Sequence, residues 1–384
     1  MKYDFGMFKD MIPKLQSISD KDIYFYPCGN NLNAILKMLR MCDITLPNMY
    51  FLDKNKKTTL ENGTFDIQSV NDFRWNENTV VVLTSRKYEK ELREELKKIG
   101  YDGNIEELFL DRDIDSSRNI RQSDCEYMNT LDFVLTTRCT LRCEKCANLM
   151  QYYEHPIDVE FDVNINGIKR ILAVVDRIGE LHVIGGEPFI YKRLKDVLVE
   201  ILKYENIDQI KIITNATVCP PPDDTIWSIM SNQRISVRIS DYGDLSKKKY
   251  EIIKHCSEHF ICCEIDENKI FYNPGNMQNR GRTEKELNKV FEECGTICRS
   301  LFNGELHYCP RSAHGVDLGY VKKREEDYID ILSDLSDEEL RNKITELSYK
   351  HNYIEACNYC DIRLPGYYQN EYPAAVQSRF VVKK

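Results

Sequence analysis

The stretch Leu131-Asp132-Phe133-Val134-Leu135-Thr136-Thr137-Arg138-Cys139-Thr140-Leu141-Arg142-Cys143-Glu144-Lys145-Cys146 passes from an apolar run into a loop carrying three cysteines. Residues 131–135 are predicted as a strand. Three thiolates within eight residues of loop can wrap one small, soft metal centre, and such ligands select zinc, copper(I) or iron–sulfur clusters. Structural zinc is normally closed by a fourth protein ligand. Three cysteines with no obvious fourth suit a cubane cluster whose last iron stays open to substrate. The alternative is a zinc knob completed by a distant residue such as His155.

Strands alternate with helices on both sides of this loop. Downstream, strands are predicted at 181–184, 210–213, 235–239 and 260–265. One helix carries Ile168, Ile171, Leu172, Val175 and Ile178; another carries Ile190, Leu194, Val197, Leu198 and Ile201. This unit is long enough for a barrel or partial barrel. Upstream, Ile23–Tyr26, Met49–Leu52 and Val80–Leu83 read as strands. Helices lie around Ile35–Leu39 and from Tyr88 to Ile99, where Gly100 stops the second. That alternation indicates a Rossmann-type parallel sheet. Residues 111–128 are polar and aperiodic, a linker. The expected domains are 1–122, 123–290 and 291–384. In the last, Ser336 and Glu339 form a capping box ahead of Leu340, Ile344 and Leu347.

The N-terminal unit invites a dinucleotide reading, because Tyr26-Pro27-Cys28-Gly29-Asn30-Asn31 joins a strand to a helix and Asp53 ends the next strand. A dinucleotide fingerprint needs three glycines; only Gly29 is present, so a docking or recognition module without nicotinamide is expected.

Composition narrows the rest. The 384 residues hold 53 basic and 62 acidic side chains, a net charge of -9, which disfavours a broad nucleic-acid or anionic-membrane surface. No apolar run approaches the roughly 20 residues of a membrane span, and the opening MKYDFGMFKDMIPK lacks a signal-peptide layout. A cytoplasmic protein is expected, with its 15 cysteines reserved for metal rather than disulfides.

On these residues the chain resembles the radical S-adenosylmethionine (SAM) superfamily, whose signature is a CxxxCxxC loop after the first barrel strand. Gly185-Gly186-Glu187-Pro188 is similar to its GGEP motif, in which the glutamate binds the methionine amino group. Thr214-Asn215-Ala216 resembles the TNG/TNA element, and Ser240-Asp241-Tyr242-Gly243 the stretch whose serine lies near the ribose and carboxylate. The resemblance covers about residues 129–266. It implies an α/β fold with a partial (β/α)6 TIM-type barrel, a [4Fe–4S] cluster on Cys139, Cys143 and Cys146, and SAM held by Gly185, Gly186, Glu187, Asn215 and Ser240. A reducing donor such as flavodoxin or ferredoxin is also implied. In one departure, the aromatic residue usual before the third cysteine is Lys145 here, so adenine packing must come from elsewhere.

Cys298, Cys309, Cys357 and Cys360, with Gly304 ahead of Cys309, can close a tetrahedral site. The arrangement resembles the twitch (shortened SPASM) extension, which implies a second [4Fe–4S] cluster; zinc is the alternative, and Cys294 is a competing ligand. An auxiliary cluster is an electron sink and favours dehydrogenation. Cys219, after the Thr214-Asn215 strand end, is a candidate hydrogen donor that would make the enzyme an epimerase. Asn148, Tyr152, Tyr153, Arg280, Arg282, Arg311 and His314 are candidates for substrate contact. A carbohydrate-like or nucleotide-sugar substrate is the leading expectation, and a peptide-modifying enzyme the alternative.

Overall fold

Apolar runs bounded by turn residues become strands, and the longer amphipathic stretches between them become helices. The computed structural model describes residues 2–54, 66–109, 125–294, 298–348, 352–362, 364, 367–369 and 371–378. The strands are β1 (Lys2–Asp4), β2 (Asp22–Tyr26), β3 (Met49–Asp53), β4 (Ile67–Ser69), β5 (Thr79–Leu83), β6 (Asn104–Glu107), β7 (Met128–Thr136), β8 (Ile178–Gly185), β9 (Ile207–Thr214), β10 (Ile235–Asp241), β11 (Cys262–Glu267), β12 (Ile270–Tyr272), β13 (Arg299–Phe302), β14 (Glu305–His307), β15 (Tyr328–Asp330) and β16 (Glu371–Pro373). The helices are α1 (Phe5–Ser17), α2 (Asn30–Met41), α3 (Glu89–Lys98), α4 (Phe161–Val174), α5 (Leu194–Ile201), α6 (Ile226–Met230), α7 (Lys249–Glu258), α8 (Glu284–Cys294), α9 (Pro310–Asp317) and α10 (Asp337–Ser348). The chain divides into two units, residues 1–118 with 253–264 and residues 119–252 with 265–384.

The first unit holds a parallel sheet in the order β4-β3-β2-β5-β6. Its β5 is buried along its whole length, as expected of a parallel strand covered on both faces. The backbone N–H of Cys28 donates to the Asp53 carboxylate at 2.9 Å. Asp53 thus ties the turn after β2 to the end of β3. Gly100 takes φ +83 just past α3, the left-handed cap that glycine adopts without strain. The expected boundary at 122/123 lies outside the described residues.

The second unit is an α/β sheet in which β10, β9, β8 and β7 run parallel. On the other side of β7 comes β13, also parallel, followed by antiparallel β14 and β15. The C-terminal segment therefore continues the same sheet. Ile168 and Ile171 of α4, Val197 and Leu198 of α5, and Leu181, Val183, Ile210, Ile212 and Val237 of the strands are fully buried.

Two helix boundaries differ from the sequence reading. Helix α4 ends at Val174, and Ile178 opens β8 instead. Ile190 belongs to a short 3₁₀ turn begun by Pro188, so α5 starts only at Leu194. Proline suits the first position of such a turn because its missing N–H would be unpaired there. The capping box forms as expected: Ser336 N donates to Glu339 Oε2 at 2.8 Å, and Glu339 N to Ser336 Oγ at 3.3 Å.

One face of this sheet carries a polar ladder. Asp132, His182 and Lys211 are direct neighbours across β7, β8 and β9. His182 bonds Asp132 and Glu180, each at 3.0 Å, and Lys211 Nζ donates to Glu180 at 3.0 Å. The His182 hydrogen bond, against the opposing effect of burial and with help from Lys211, holds the Glu180 carboxyl down at about 2. Burial alone would lower His182, but Asp132 and Glu180 raise it overall. A depressed carboxyl stabilises the fold above its ordinary value of 4.5 and loses that contribution as pH falls toward about 2. Thermal unfolding followed across that window should show a falling melting temperature, and Glu180→Gln should flatten this acid limb.

Candidate functional site

Strands β7, β8, β9 and β10 end on one side of a cavity of about 460 Å³. Ligands of parallel α/β sheets bind at this carboxyl edge. Cys139, Cys143 and Cys146 line the cavity together with Gly185, Gly186, Asn215 and Ser240. The three thiols are near enough that each sulfur's charge would bear on its neighbours. Burial raises the thiols, to about 12 for Cys139 and about 11 for Cys143. Such thiols need a cation to become thiolates, and a coordinated metal deprotonates its thiol ligands outright.

The loop that carries them is shaped by contacts with β8. A Cβ on Gly185 would stand 2.4 Å from the Thr136 carbonyl oxygen, and one on Gly186 would stand 2.1 Å from that of Arg138 and 2.7 Å from Cys139 Cβ. The space freed by these two glycines is thus filled largely by the cysteine loop itself. Gly186 N donates to Thr136 O at 2.8 Å and Glu187 N to Arg138 O at 2.9 Å. Farther along, Leu149 adopts φ 59, an unusual conformation for a branched side chain. The backbone N–H groups of Asn148, Leu149 and Met150 bear on the Cys146 sulfur. Oriented N–H groups of this kind favour an anion.

Glu187 is completely buried and is absent from the described residues lining the cavity. Its Oε1 accepts from Thr214 Oγ1 at 2.8 Å and Phe189 N at 3.1 Å, and its Oε2 from Asn215 N at 2.8 Å. Burial raises it to about 7 despite these donors. The carboxyl therefore braces the end of β9 against that of β8 from behind the cavity wall. Asn215 faces inward: its Nδ2 donates to Cys139 Sγ at 3.6 Å and to Thr140 Oγ1 at 3.1 Å.

Aromatic surface, lacking at Lys145, comes from Tyr242, Phe271 and Tyr272, which line the cavity. Tyr242 meets Phe271 edge-on with centroids 5.6 Å apart. Tyr242 sits two residues beyond Ser240, and the Ile270-Phe271-Tyr272 run between polar segments was the available sequence signal for the others. Asn148 also lines the cavity. Tyr153 does not: its hydroxyl is engaged with His314 and Asp317, each at 2.9 Å. Tyr152 packs edge-on against Tyr320. Cys219 is likewise outside the described lining. Burial and the Glu251 carboxylate push its thiol to about 12, with Lys248 nearby. A hydrogen donor must face the substrate, so this placement does not support the expected role.

A second cavity, of about 250 Å³, is lined by Cys294, Cys298, Cys309, Cys357 and Cys360. Burial raises the Cys309 thiol, and the neighbouring Cys294, Cys357 and Cys360 raise it further. Cys357 and Cys360 also bear Cys294 as a neighbour. Cys298 lines the same cavity and shares Arg299 with Cys309 as a charged neighbour. Its sulfur accepts from Thr130 Oγ1 at 3.8 Å, and its charged neighbours are Asp132, Arg299 and Glu180. Cys294, Cys309, Cys357 and Cys360 thus bear on one another as a quartet, with Cys298 in the same lining. The signal for Cys294 was its position at the end of α8, on the same apolar face as Leu287, Val290 and Phe291.

Buried cations fit this quartet to an anionic metal centre. Arg311 is 4% exposed; its Nε and Nη2 donate to the carbonyls of Tyr359, Gly275 and Asn276, while Nη1 has no partner. Cys360 and Cys309 are its negative neighbours. Arg299 leaves its Nε unpaired beside Cys309 and stacks on Tyr308 at 4.0 Å. A metal held by four thiolates supplies the charge that such guanidiniums require. Arg282 Nη1 donates to the carbonyls of Cys357 and Cys360, both at 2.6 Å, and with Arg280 pairs with Asp361. These arginines support the site.

No protein family model matches the sequence, and no curated protein does. Among solved structures, hexahistidine-tagged anSMEcpe with bound AdoMet aligns over 36% of this chain and 43% of its own, at 16% identity and a TM-score of 0.31. Native anSMEcpe with bound AdoMet and Cp18Cys peptide aligns over 36% and 42%, at 17% identity and 0.30. Native anSMEcpe with bound AdoMet aligns over 58% and 84%, at 12% identity and 0.40. The chain thus spans less than half the length of the first two.

Two substitutions probe this geometry. Gly186→Ala should destabilise the chain by roughly 1–3 kcal/mol in denaturant unfolding, because the Arg138 carbonyl has to move. In metal analysis after loading, Cys294→Ser should lose the metal of the second cavity, whereas Cys298→Ser should keep it.

Proposed function

We propose that the chain is a radical SAM enzyme with one [4Fe–4S] cluster on Cys139, Cys143 and Cys146 and a second on Cys294, Cys309, Cys357 and Cys360. The observation that carries this reading is the first cavity. Three thiols converge at the strand ends, and no histidine or carboxylate stands among the described residues lining it. That donor set leaves one corner of a cubane open, beside room for a ligand.

Held by Cys139, Cys143 and Cys146, such a cluster would supply the electron for reductive SAM cleavage and so the means to attack an unreactive C–H bond. The protein's part is to hold and to exclude. Gly185, Gly186, Asn215 and Ser240 line the cavity and would face SAM there, and Glu187 fixes the strand ends behind them. Tyr242, Phe271 and Tyr272 offer aromatic faces for the adenine in place of the Lys145 position. Holding the reacting carbon close to SAM would be this chain's contribution to the rate.

The substrate is a hydroxyl-rich molecule of carbohydrate type, free or nucleotide-linked. Asn148, Asn268 and Tyr272 line the cavity with amide and phenol groups, and Lys145 is the charged side chain among the described lining. The second cluster supplies an electron sink, which favours net dehydrogenation over return of a hydrogen. A flavodoxin or ferredoxin serves as reductant.

Anaerobic protein should bind about eight irons per chain, the number for two cubanes. Replacing Cys139, Cys143 and Cys146 together by alanine should abolish 5′-deoxyadenosine formation while leaving roughly four irons bound. Retained SAM cleavage in that variant would defeat the assignment. Incubation with nucleotide sugars should give a product lighter by two hydrogens; turnover of peptides instead would move the chain to peptide modification.

A further inference from the structure

Near the end of the described chain, residues 371–378 lie along the loop that carries the first three cysteines. Strand β16 pairs antiparallel with β12, whose Phe271 and Tyr272 line the cavity. Beyond β16, Cys143 and Gln377 form an isolated antiparallel bridge. Glu144 N donates to Val376 O at 2.9 Å, and Ser378 N to Arg142 O at 2.7 Å. Ala375 is 2% exposed and packs with Leu141 and Cys143, with Cys139 and Cys146 against the same group. Tyr372 contributes a hydroxyl bond to Glu144 and a ring under the Lys145 ammonium, 5.4 Å from its centroid.

One side chain in this strap reaches a sulfur. Gln377 Oε1 accepts from Arg142 N at 2.8 Å, and Gln377 Nε2 donates to Cys143 Sγ at 3.7 Å and to Ala375 O at 2.7 Å. The amide can sit only one way round. Arg142 N–H is a donor and needs the carbonyl oxygen, and the Ala375 carbonyl needs the NH₂. The donor end is therefore committed to the thiol. Cys143 is buried, at 8% exposure, while Gln377 is exposed, so the amide lies on the water side of the sulfur.

Resting on the cluster assignment above, we infer that Gln377 is a positioning and tuning residue for the first cluster. Its amide donates to the Cys143 thiolate and makes the cluster easier to reduce, and the strap holds the loop in register. The reason is electrostatic: reduction puts additional negative charge on the sulfurs, and a hydrogen bond to a ligand sulfur stabilises the reduced form more than the oxidised one. The strap and the cavity wall formed by β12 are one pair of strands, so the same segment that donates this bond also shapes the space beside the cluster.

The test is a redox titration of the full-length, iron-loaded protein by electron paramagnetic resonance. The first cluster's signal is identified as the one lost from the Cys139, Cys143 and Cys146 triple variant. Gln377→Leu removes the donor and sets apolar atoms beside the sulfur. The expected result is a lower midpoint potential for that signal, the reduced-to-oxidised ratio at fixed potential falling roughly three- to tenfold, where tenfold is about 59 mV for a one-electron couple. Gln377→Glu, which replaces the donor with a carboxylate, should lower it further. The second cluster's potential should not move in either variant. An unchanged first-cluster potential in iron-loaded Gln377→Leu overturns the inference alone. Wild-type protein that takes up no iron on Cys139, Cys143 and Cys146 overturns both the inference and the assignment beneath it. Should Gln377→Leu fail to fold, Ser378→Pro removes the neighbouring Ser378 N–H bond to Arg142 while leaving Gln377 in sequence; faster loss of first-cluster iron in air is then expected, and an unchanged rate overturns the strap's part.

Discussion

The arrangement depends on how closely the backbone beyond β7 approaches the end of β8. Two successive residues without side chains, Gly185 and Gly186, let the carbonyls of Thr136 and Arg138 occupy positions where side-chain carbons would otherwise stand. Two backbone hydrogen bonds then lock the segment just before Cys139 onto the start of the next connection. Interiors are packed densely enough that a misplacement here cannot be absorbed locally. The first thiol, the buried Glu187 brace and the inward-facing Asn215 amide all take their places from this junction.

Charge governs the second cavity as contact distance governs the first. Two guanidiniums with unpaired N–H groups are buried beside the four thiols. A buried guanidinium favours negative charge beside it, and the four thiols are the neighbouring groups that would carry it as thiolates. Arg282, in contrast, spends its donors on the carbonyls of the Cys357 and Cys360 turn. Arg299 and Arg311 set the charge beside the four thiols, and Arg282 sets the shape of the turn that carries two of them.

Much of this was legible in the sequence. The Cys139–Cys146 spacing, the strand order around it and the Ser336 capping box depend on local pattern, and local pattern is what a sequence displays. The ends of α4 and α5 were misplaced because Ile178 and Ile190 fit a helical period while β8 and Pro188 claim them. Glu187 was readable as an important acid, yet its donors come from Thr214 and Asn215, on another strand. Cys298 and Cys294 are four residues apart in sequence, and spacing alone cannot say which sulfur turns toward Cys309. Gln377 is separated from its thiol by most of the second unit, and no periodicity links the two.

Ala147, Pro274 and Ile362 line both cavities. The two chambers thus share a partition only a side chain thick, built from one small and two rigid or branched residues. Bulk added to it would be felt in both rooms at once. A change of fit in the larger chamber is therefore constrained by the packing of the smaller, and changes to either are expected to arise as coupled sets.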